Sequence, residues 1–164
     1  MQGKPPAASR TIMSHRLMPQ DTNPAGNVHG GVILKLIDTA AGTVAARHAR
    51  SNVVTVSIDR VDFLKPVHVG ELVTIKANLN FVGSTSMEVG VRVEAENLRT
   101  GDVRYTNSAY LTFVALDDNG KPRTVAPLIL ETDEDHRRHA EAMTRRELRK
   151  RERASERIHE GAFL

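Results

Sequence analysis

Between residues 30 and 48 apolar side chains recur in two rows, Val32, Leu36, Ala40, Val44 and Ile33, Ile37, Ala41, Ala45. At about 100° per residue the rows cover more than half of a helical circumference, so they predict a largely buried helix from Gly30 to about His48. Downstream the period changes to two. Val54, Val56 and Ile58 alternate with Thr55 and Ser57, and the phase slips before Val61 and Phe63, which predicts a bulge there. Val73, Ile75, Ala77, Leu79 and Phe81 form a second alternating run, and Met87, Val89, Val91, Val93 and Ala95 a third. Val103 to Ala115 is a fourth and longer one. The links Pro66–Gly70, Gly83–Thr85 and Arg99–Asp102 are short, which predicts an antiparallel meander. With a short strand over Thr11–Met18 and a turn-rich segment over Pro19–His29, the pattern is that of an α+β domain whose sheet wraps one helix.

Both ends differ from this body. Residues 1–10 hold two prolines and no periodicity, and read as a disordered leader. Residues 11–130 form the expected domain, closed by a turn block over Asp117–Pro127. Residues 131–164 read as a charged helical tail, with a helix from Asp133 to about Arg157, acids first and arginines later, as the helix dipole favours. Its apolar positions, Met143, Leu148 and Ile158, are too few for a coiled-coil seam, so it is expected to be a solvated helix outside the chemistry. No internal repeat is present.

Composition narrows the possible chemistry. The chain of 164 residues has no cysteine, which excludes disulfides, thiolate metal sites and cysteine nucleophiles. With no tryptophan and 4% aromatic residues, the core is expected to consist of Val, Ile, Leu and Ala. The longest apolar stretch, Val32–Ala45, is broken by Lys35 and Asp38, and the first ten residues lack an apolar signal segment. The expected setting is soluble and cytoplasmic, with no membrane partner. The tail carries nine Lys/Arg and nine Asp/Glu, so the net charge of +3 lies in residues 1–130. A modest basic excess on the body suits a small anionic ligand as well as nucleic acid.

Phosphate-loop, dinucleotide, nucleophile-elbow and zinc-protease signatures are absent. His136 and His139 lie three apart on the tail helix, but solvated surface is the better reading than a metal site, and no metal is expected. The informative stretch is DTNPAGNVHGGVILKLIDTAAG, residues 21–42. Gly30 and Gly31 at a helix start either make a tight turn or leave bare N–H groups that polarise a carbonyl and hold an oxyanion. Asp38, two turns on, is either an exposed acid beside Lys35 or a base; its spacing alone favours the exposed acid. Asn23 before a proline reads as a turn residue.

The blocks GNVHGGVILKLID, AARH, VVTVSID, VDFLKPVHVGE, STSMEV and VALDDNGKP resemble the hotdog-fold acyl-CoA thioesterases, specifically the cytosolic, brain-type acyl-CoA hydrolase branch. The resemblance covers about residues 11–130. It implies a hotdog fold, a long helix gripped by an antiparallel sheet, and hydrolysis of fatty acyl-CoA to fatty acid and coenzyme A. No cofactor is implied, because coenzyme A is part of substrate and product. The resemblance also implies a homodimer with active sites across the pair, Asn23 from one subunit and Asp38 from the other; related enzymes are often hexamers, as trimers of dimers, and the sequence leaves assembly beyond the dimer open. Thr55 would orient Asp38 or water. The Gly31 N–H would polarise the thioester carbonyl, with His29 and Gly30 shaping the turn. Gly83, Ser84, Thr85, Ser86 and Met87 would bind the pantetheine arm. Asp38 would act as general base, or as a nucleophile through a mixed anhydride.

Two other functions fit the same fold. An enoyl-thioester hydratase would need an acid–histidine pair near the helix start, and His48 lies too far along. A non-catalytic acyl-CoA-sensing module would call for an attached DNA-binding domain, and only about ten residues precede the first expected strand. Arg145–Arg153 as a nucleic-acid arm is disfavoured by interleaved Glu147 and Glu152 and by the lack of aromatic residues.

Overall fold

The computed structural model describes residues 1–59 and 61–160, the last five of these by their backbone alone. The elements are β1 (Thr11–Arg16), α1 (Gly30–Ala49), β2 (Asn52–Ile58), β3 (Leu72–Val82), β4 (Ser86–Glu96), β5 (Val103–Leu116) and α2 (Asp133–Glu160). The strands form one five-stranded sheet in the order β1-β3-β4-β5-β2, and every pairing is antiparallel.

The meander expectation holds for β3, β4 and β5, whose alternating runs are joined by tight turns. It fails for β2, which pairs with β5 at the far edge of the sheet and not with β3. The residues after Ile58 cross over the sheet, not around a hairpin. Asp59 N–H donates to the Tyr110 carbonyl, Leu64 N–H to Thr106, and Asn107 Nδ2 to the Asp62 carbonyl at 3.0 Å. The crossover ends in a turn clamped by an ion pair. Arg104 binds both carboxylate oxygens of Glu71 at 2.6 Å and the Pro66 carbonyl at 2.8 Å. That guanidinium holds the Glu71 carboxyl below the usual carboxylate range, against the opposing effect of burial. The bulge also falls earlier than expected, between Thr55 and Ser57, and others lie between Leu79 and Phe81 and between Val93 and Glu94.

Helix α1 packs against all five strands. Its buried stripe is Ile33, Ile37, Ala40, Ala41, Val44, Ala45 and His48, while Val32 and Leu36 are only half-buried. The inward row of β4, Met87 to Ala95, meets this stripe, as does that of β3 from Val73 to Leu79. Fully buried Ile37 is a residue whose truncation to alanine costs about 2–5 kcal/mol. The helix stops at Arg50, a left-handed residue (φ 53°) whose N–H bonds the Ala46 carbonyl.

The two ends depart from expectation. Residues 1–10 are ordered: Pro6–Ala8 form a short 3-10 turn, and Lys4 pairs in parallel with Leu128. Lys4 Nζ donates to the His48 carbonyl at 2.8 Å, and Pro6 and Ser9 are buried. The partners that order this leader, such as Arg47, His48 and Leu128, lie more than thirty-five residues away, so local composition could not reveal them. The tail helix α2 is docked on the outer face of the sheet. Ala142 is fully buried, Arg145 Nε and Nη2 bind Glu88 Oε1 at 3.1 and 2.7 Å, and Arg149 bridges Glu88 and Asp59 at 2.8 and 2.7 Å. Arg145 also covers the Tyr110 ring at 3.6 Å, and His139 packs on Phe81. One side of the helix expected to be solvated is therefore an interface with the sheet. Among the described residues no group of three or more metal-ligating side chains occurs, and no helix is long and apolar enough to cross a membrane.

Candidate active site

The segment before α1 folds into a small closed loop. Thr22 bridges Val28, Asn23 N–H donates to the Asn27 carbonyl at 2.7 Å, and Gly26 takes a positive φ of 84° at the turn. Asn23 Oδ1 accepts from the Ala25 and Asn27 N–H groups at 2.9 and 3.3 Å. This Asx turn engages the carbonyl end of the side chain and leaves Nδ2 without a hydrogen bond among the described residues. The loop is tied to the crossover by Val28 N–H on the Val67 carbonyl, and to its own base by His29 N–H on Asp21.

His29 caps α1. Its Nδ1 accepts the Gly31 N–H at 2.9 Å, so that N–H, expected to face a substrate oxygen, is held by the imidazole. The glycine pair has a packing reason as well. A Cβ on Gly30 would lie 3.3 Å from the Phe63 ring, and one on Gly31 would lie 3.1 Å from His29 Nδ1. Phe63 is 51% exposed; the sequence marked it as an apolar strand position after the phase slip and as part of the VDFLKPVHVGE block, not as a neighbour of the helix start.

Asp38 is half-buried, and its Oδ1 accepts a 2.8 Å hydrogen bond from Thr55 Oγ1. The free-acid reading with Lys35 is not what the structure shows: Asp38 makes no ion pair with Lys35, and its partner is a hydroxyl on β2. The bulge next to Thr55 is the local feature that re-aims this part of the edge strand. Asp38 and Asn23 are not in hydrogen-bond contact within the chain. Seven residues of helix separate Gly31 from Asp38, about 10 Å along the axis at 1.5 Å per residue.

The remaining candidates sit at the β3–β4 turn. Gly83 N–H donates to the Ser86 carbonyl, while the Ser84 and Thr85 carbonyls accept from Val125 and Ala115. The turn is therefore rigidly placed, with Ser84 exposed. Met87 departs from the expected binding stretch. Its side chain is 1% exposed in the core, because the pleat of β4 points it at α1.

A family model described as the thioesterase superfamily matches residues 25–101. The uncharacterized acyl-CoA thioester hydrolase YkhA of Bacillus subtilis is 42% identical over 142 residues, which span 87% of this chain and 83% of that protein. The cytosolic acyl coenzyme A thioester hydrolase of Mus musculus is 38% identical over 84% of this chain, a match that spans 36% of the mouse protein. Among solved structures, an apo-hexameric acyl-CoA thioesterase shares 42% identity with a TM-score of 0.90, over 94% of this chain and 99% of that one. An acyl-CoA hydrolase from Staphylococcus aureus, solved with butyryl coenzyme A, coenzyme A and coenzyme A disulfide, shares 34% identity with a TM-score of 0.87, over 96% of both chains. A sheet wrapped on one long helix, a family match across the helix and the first strands after it, and close relatives along nearly the whole length lead to one assignment: the chain belongs to the hotdog-fold thioesterase superfamily, among its acyl-CoA thioester hydrolases.

Proposed function

We propose that the protein hydrolyses acyl-CoA thioesters at a site built from the Asp38–Thr55 pair of one subunit and the Asn23 loop and α1 N-terminus of another. The observation that carries the proposal is the 2.8 Å bond from Thr55 Oγ1 to Asp38 Oδ1. It fixes the carboxylate and leaves Oδ2 to take a proton from water. Solved variants of the Staphylococcus aureus hydrolase include single changes of an asparagine, an aspartate and a threonine to alanine. Those three follow one another in the order and spacing of Asn23, Asp38 and Thr55, which supports the assignment.

The chemistry needs no histidine. A thiolate with a pKa near ~8.5 leaves at neutral pH without an acid. Attack of water on the thioester carbon, with its proton passing to Asp38, places negative charge on the carbonyl oxygen. The N–H groups at the α1 start, with the positive end of the helix dipole, receive that charge. For Gly31 to serve, the substrate oxygen replaces His29 Nδ1 as its acceptor. Asn23 Nδ2 supplies a further donor for water or carbonyl.

Length supports completion by a second subunit, since about 10 Å of helix separates Gly31 from Asp38 within one chain. The edge of β2 offers the means of pairing, since among the described residues it pairs with β5 alone and Val54, Val56 and Ile58 are 41–46% exposed along it.

A thiol-release assay across acyl-CoA chains from acetyl to palmitoyl tests the proposal. Turnover with at least one chain length supports it. Tight acyl-CoA binding with no thiol release at any length would instead establish a sensing module, and hydration of an enoyl-CoA without thiol release a hydratase.

A further inference from the structure

Two N–H groups of the first turn of α1 end on a single residue. Val32 N–H donates to the His29 carbonyl at 2.9 Å, and Gly31 N–H donates to His29 Nδ1 at 2.9 Å. A ring nitrogen that accepts carries no proton, so the proton of the neutral imidazole sits on Nε2. Glycine at position 31 makes room for the ring, since a Cβ there would lie 3.1 Å from His29 Nδ1 and 3.3 Å from Cε1. The same Gly31 N–H receives the thioester oxygen in the hydrolase reading, on which this inference rests. One donor therefore has two claimants.

Of the groups at the helix start, the imidazole is the one able to give way. The backbone is braced: His29 N–H donates to the Asp21 carbonyl at 2.7 Å, Val28 N–H to the Val67 carbonyl at 2.9 Å, and the Phe63 ring abuts Gly30. Phe63 is held in turn by its neighbours, through Leu64 N–H on the Thr106 carbonyl and the Asp62 carbonyl on Asn107 Nδ2. His29, in contrast, is exposed, and the bond from Gly31 is the one hydrogen bond its ring makes among the described residues. A change of rotamer withdraws the ring without moving the backbone.

We propose that the His29 imidazole is a self-competing plug of the oxyanion donor, capping α1 between turnovers and displaced by the substrate oxygen during each one. A side-chain cap stabilises the helix start modestly, and that stabilisation is given up when the oxygen takes the N–H. A neutral thioester carbonyl is a weak rival for the donor. The oxyanion formed by attack of water is a strong one, because hydrogen bonds to charged acceptors are roughly twice as strong as neutral ones. The plug therefore yields most readily to the transition state, and His29 is a positioning residue that restrains binding of the ground-state oxygen.

Calorimetric titration of the full chain with two substrate analogues tests this. One is the acyl-CoA ketone in which a methylene replaces the thioester sulfur, and the other is the thioether that lacks the carbonyl. His29→Ala and His29→Phe, both without an acceptor at this position, are expected to bind the ketone about threefold or more tightly than the wild type, and the thioether within about twofold of it. His29→Ser, whose hydroxyl is again a cap acceptor, is expected to surrender most of that gain. On the substrate itself, kcat/KM of the Ala and Phe variants rises by a like factor. A gain in KM places the displacement at binding and a gain in kcat places it in the chemical step; either supports the plug. Ketone affinity no greater than that of the wild type, an equal gain for the thioether, a fall in kcat/KM, or no ketone binding by any of these proteins would overturn it. Phenylalanine fills the volume of the imidazole, so its variant keeps the test open if His29→Ala does not fold. The analogues need no turnover, which separates the two readings. A wild type that releases no thiol while the ketone-specific gain appears refutes hydrolysis and keeps the plug, whereas thiol release without that gain refutes the plug alone.

Discussion

Thr55, on the edge strand β2, donates a 2.8 Å hydrogen bond to Asp38, on the central helix α1. The bond joins the two elements at the open side of the sheet and commits one carboxylate oxygen, so the other has a fixed direction. Thr55→Val, which keeps shape and removes the hydroxyl, is expected to lower kcat about tenfold or more, in line with the worth of a hydrogen bond to a charged group. Thr55→Ser is expected to restore most of it. Steady-state thiol release on the three proteins checks this, and equal kcat for Val and Ser would mean that the hydroxyl does not act through Asp38.

Subunit mixing checks completion of the site in trans. Asn23→Ala and Asp38→Asn homodimers are each expected to be nearly inactive. In the mixed dimer one site carries both changes and the other carries neither. After complete exchange about a quarter of all sites are intact, so about a quarter of wild-type activity is expected. Failure to recover activity after exchange verified by mass spectrometry would place both residues in the site of one subunit.

The docking of α2 changes what its loss does. Glu88 is 1% exposed and binds Arg145 and Arg149, so removing one partner leaves a buried charge underpaired. Arg149→Ala is expected to cost about 3 kcal/mol, toward the lower end for a broken buried pair because Arg145 remains. Truncation after Leu130 is expected to lower the melting temperature clearly while kcat per folded subunit stays within a few-fold. Thermal unfolding alongside active-site titration separates the two. A truncated chain as stable as the full one would contradict the docking.

His48 gives the fold a pH dependence. A carbonyl only accepts, so at 2.7 Å from the Ala126 oxygen Nε2 carries the proton, and buried Nδ1 has no partner. Burial holds the His48 pKa below 6.5, opposed by the Ala126 bond and reinforced by Lys4. The unfolded chain therefore takes up a proton first as the pH falls through 6.5. The stabilisation is complete above that value and is lost as pH falls toward the lower folded pKa. The melting temperature is expected to fall more steeply from about pH 7 to pH 5 in the wild type than in His48→Gln. Identical slopes would remove His48 as the cause.

The helix and the β3–β5 meander were legible because their apolar rows repeat with the period of the element. The place of β2 was not. Its Val54, Val56 and Ile58 alternate like a core face, yet they lie exposed on an edge strand, and alternation does not say which neighbour a strand takes. The Asp38–Thr55 contact had no local signal, and spacing alone favoured an exposed acid; both positions entered through the family resemblance. The arginines of α2 looked solvated because their partner, Glu88, stands in the polar row of a distant strand.

The central claim is that the carboxylate of Asp38 drives thioester hydrolysis. Its most direct test is single-turnover thiol release by Asp38→Asn, compared with the wild type on the acyl-CoA that the wild type turns over fastest. Asparagine preserves size and can still meet Thr55, so fold and oligomeric state are expected to persist while the chemical step slows by about a hundredfold or more. A correctly assembled Asp38→Asn protein with a chemical step within a few-fold of wild type would contradict the role assigned to Asp38.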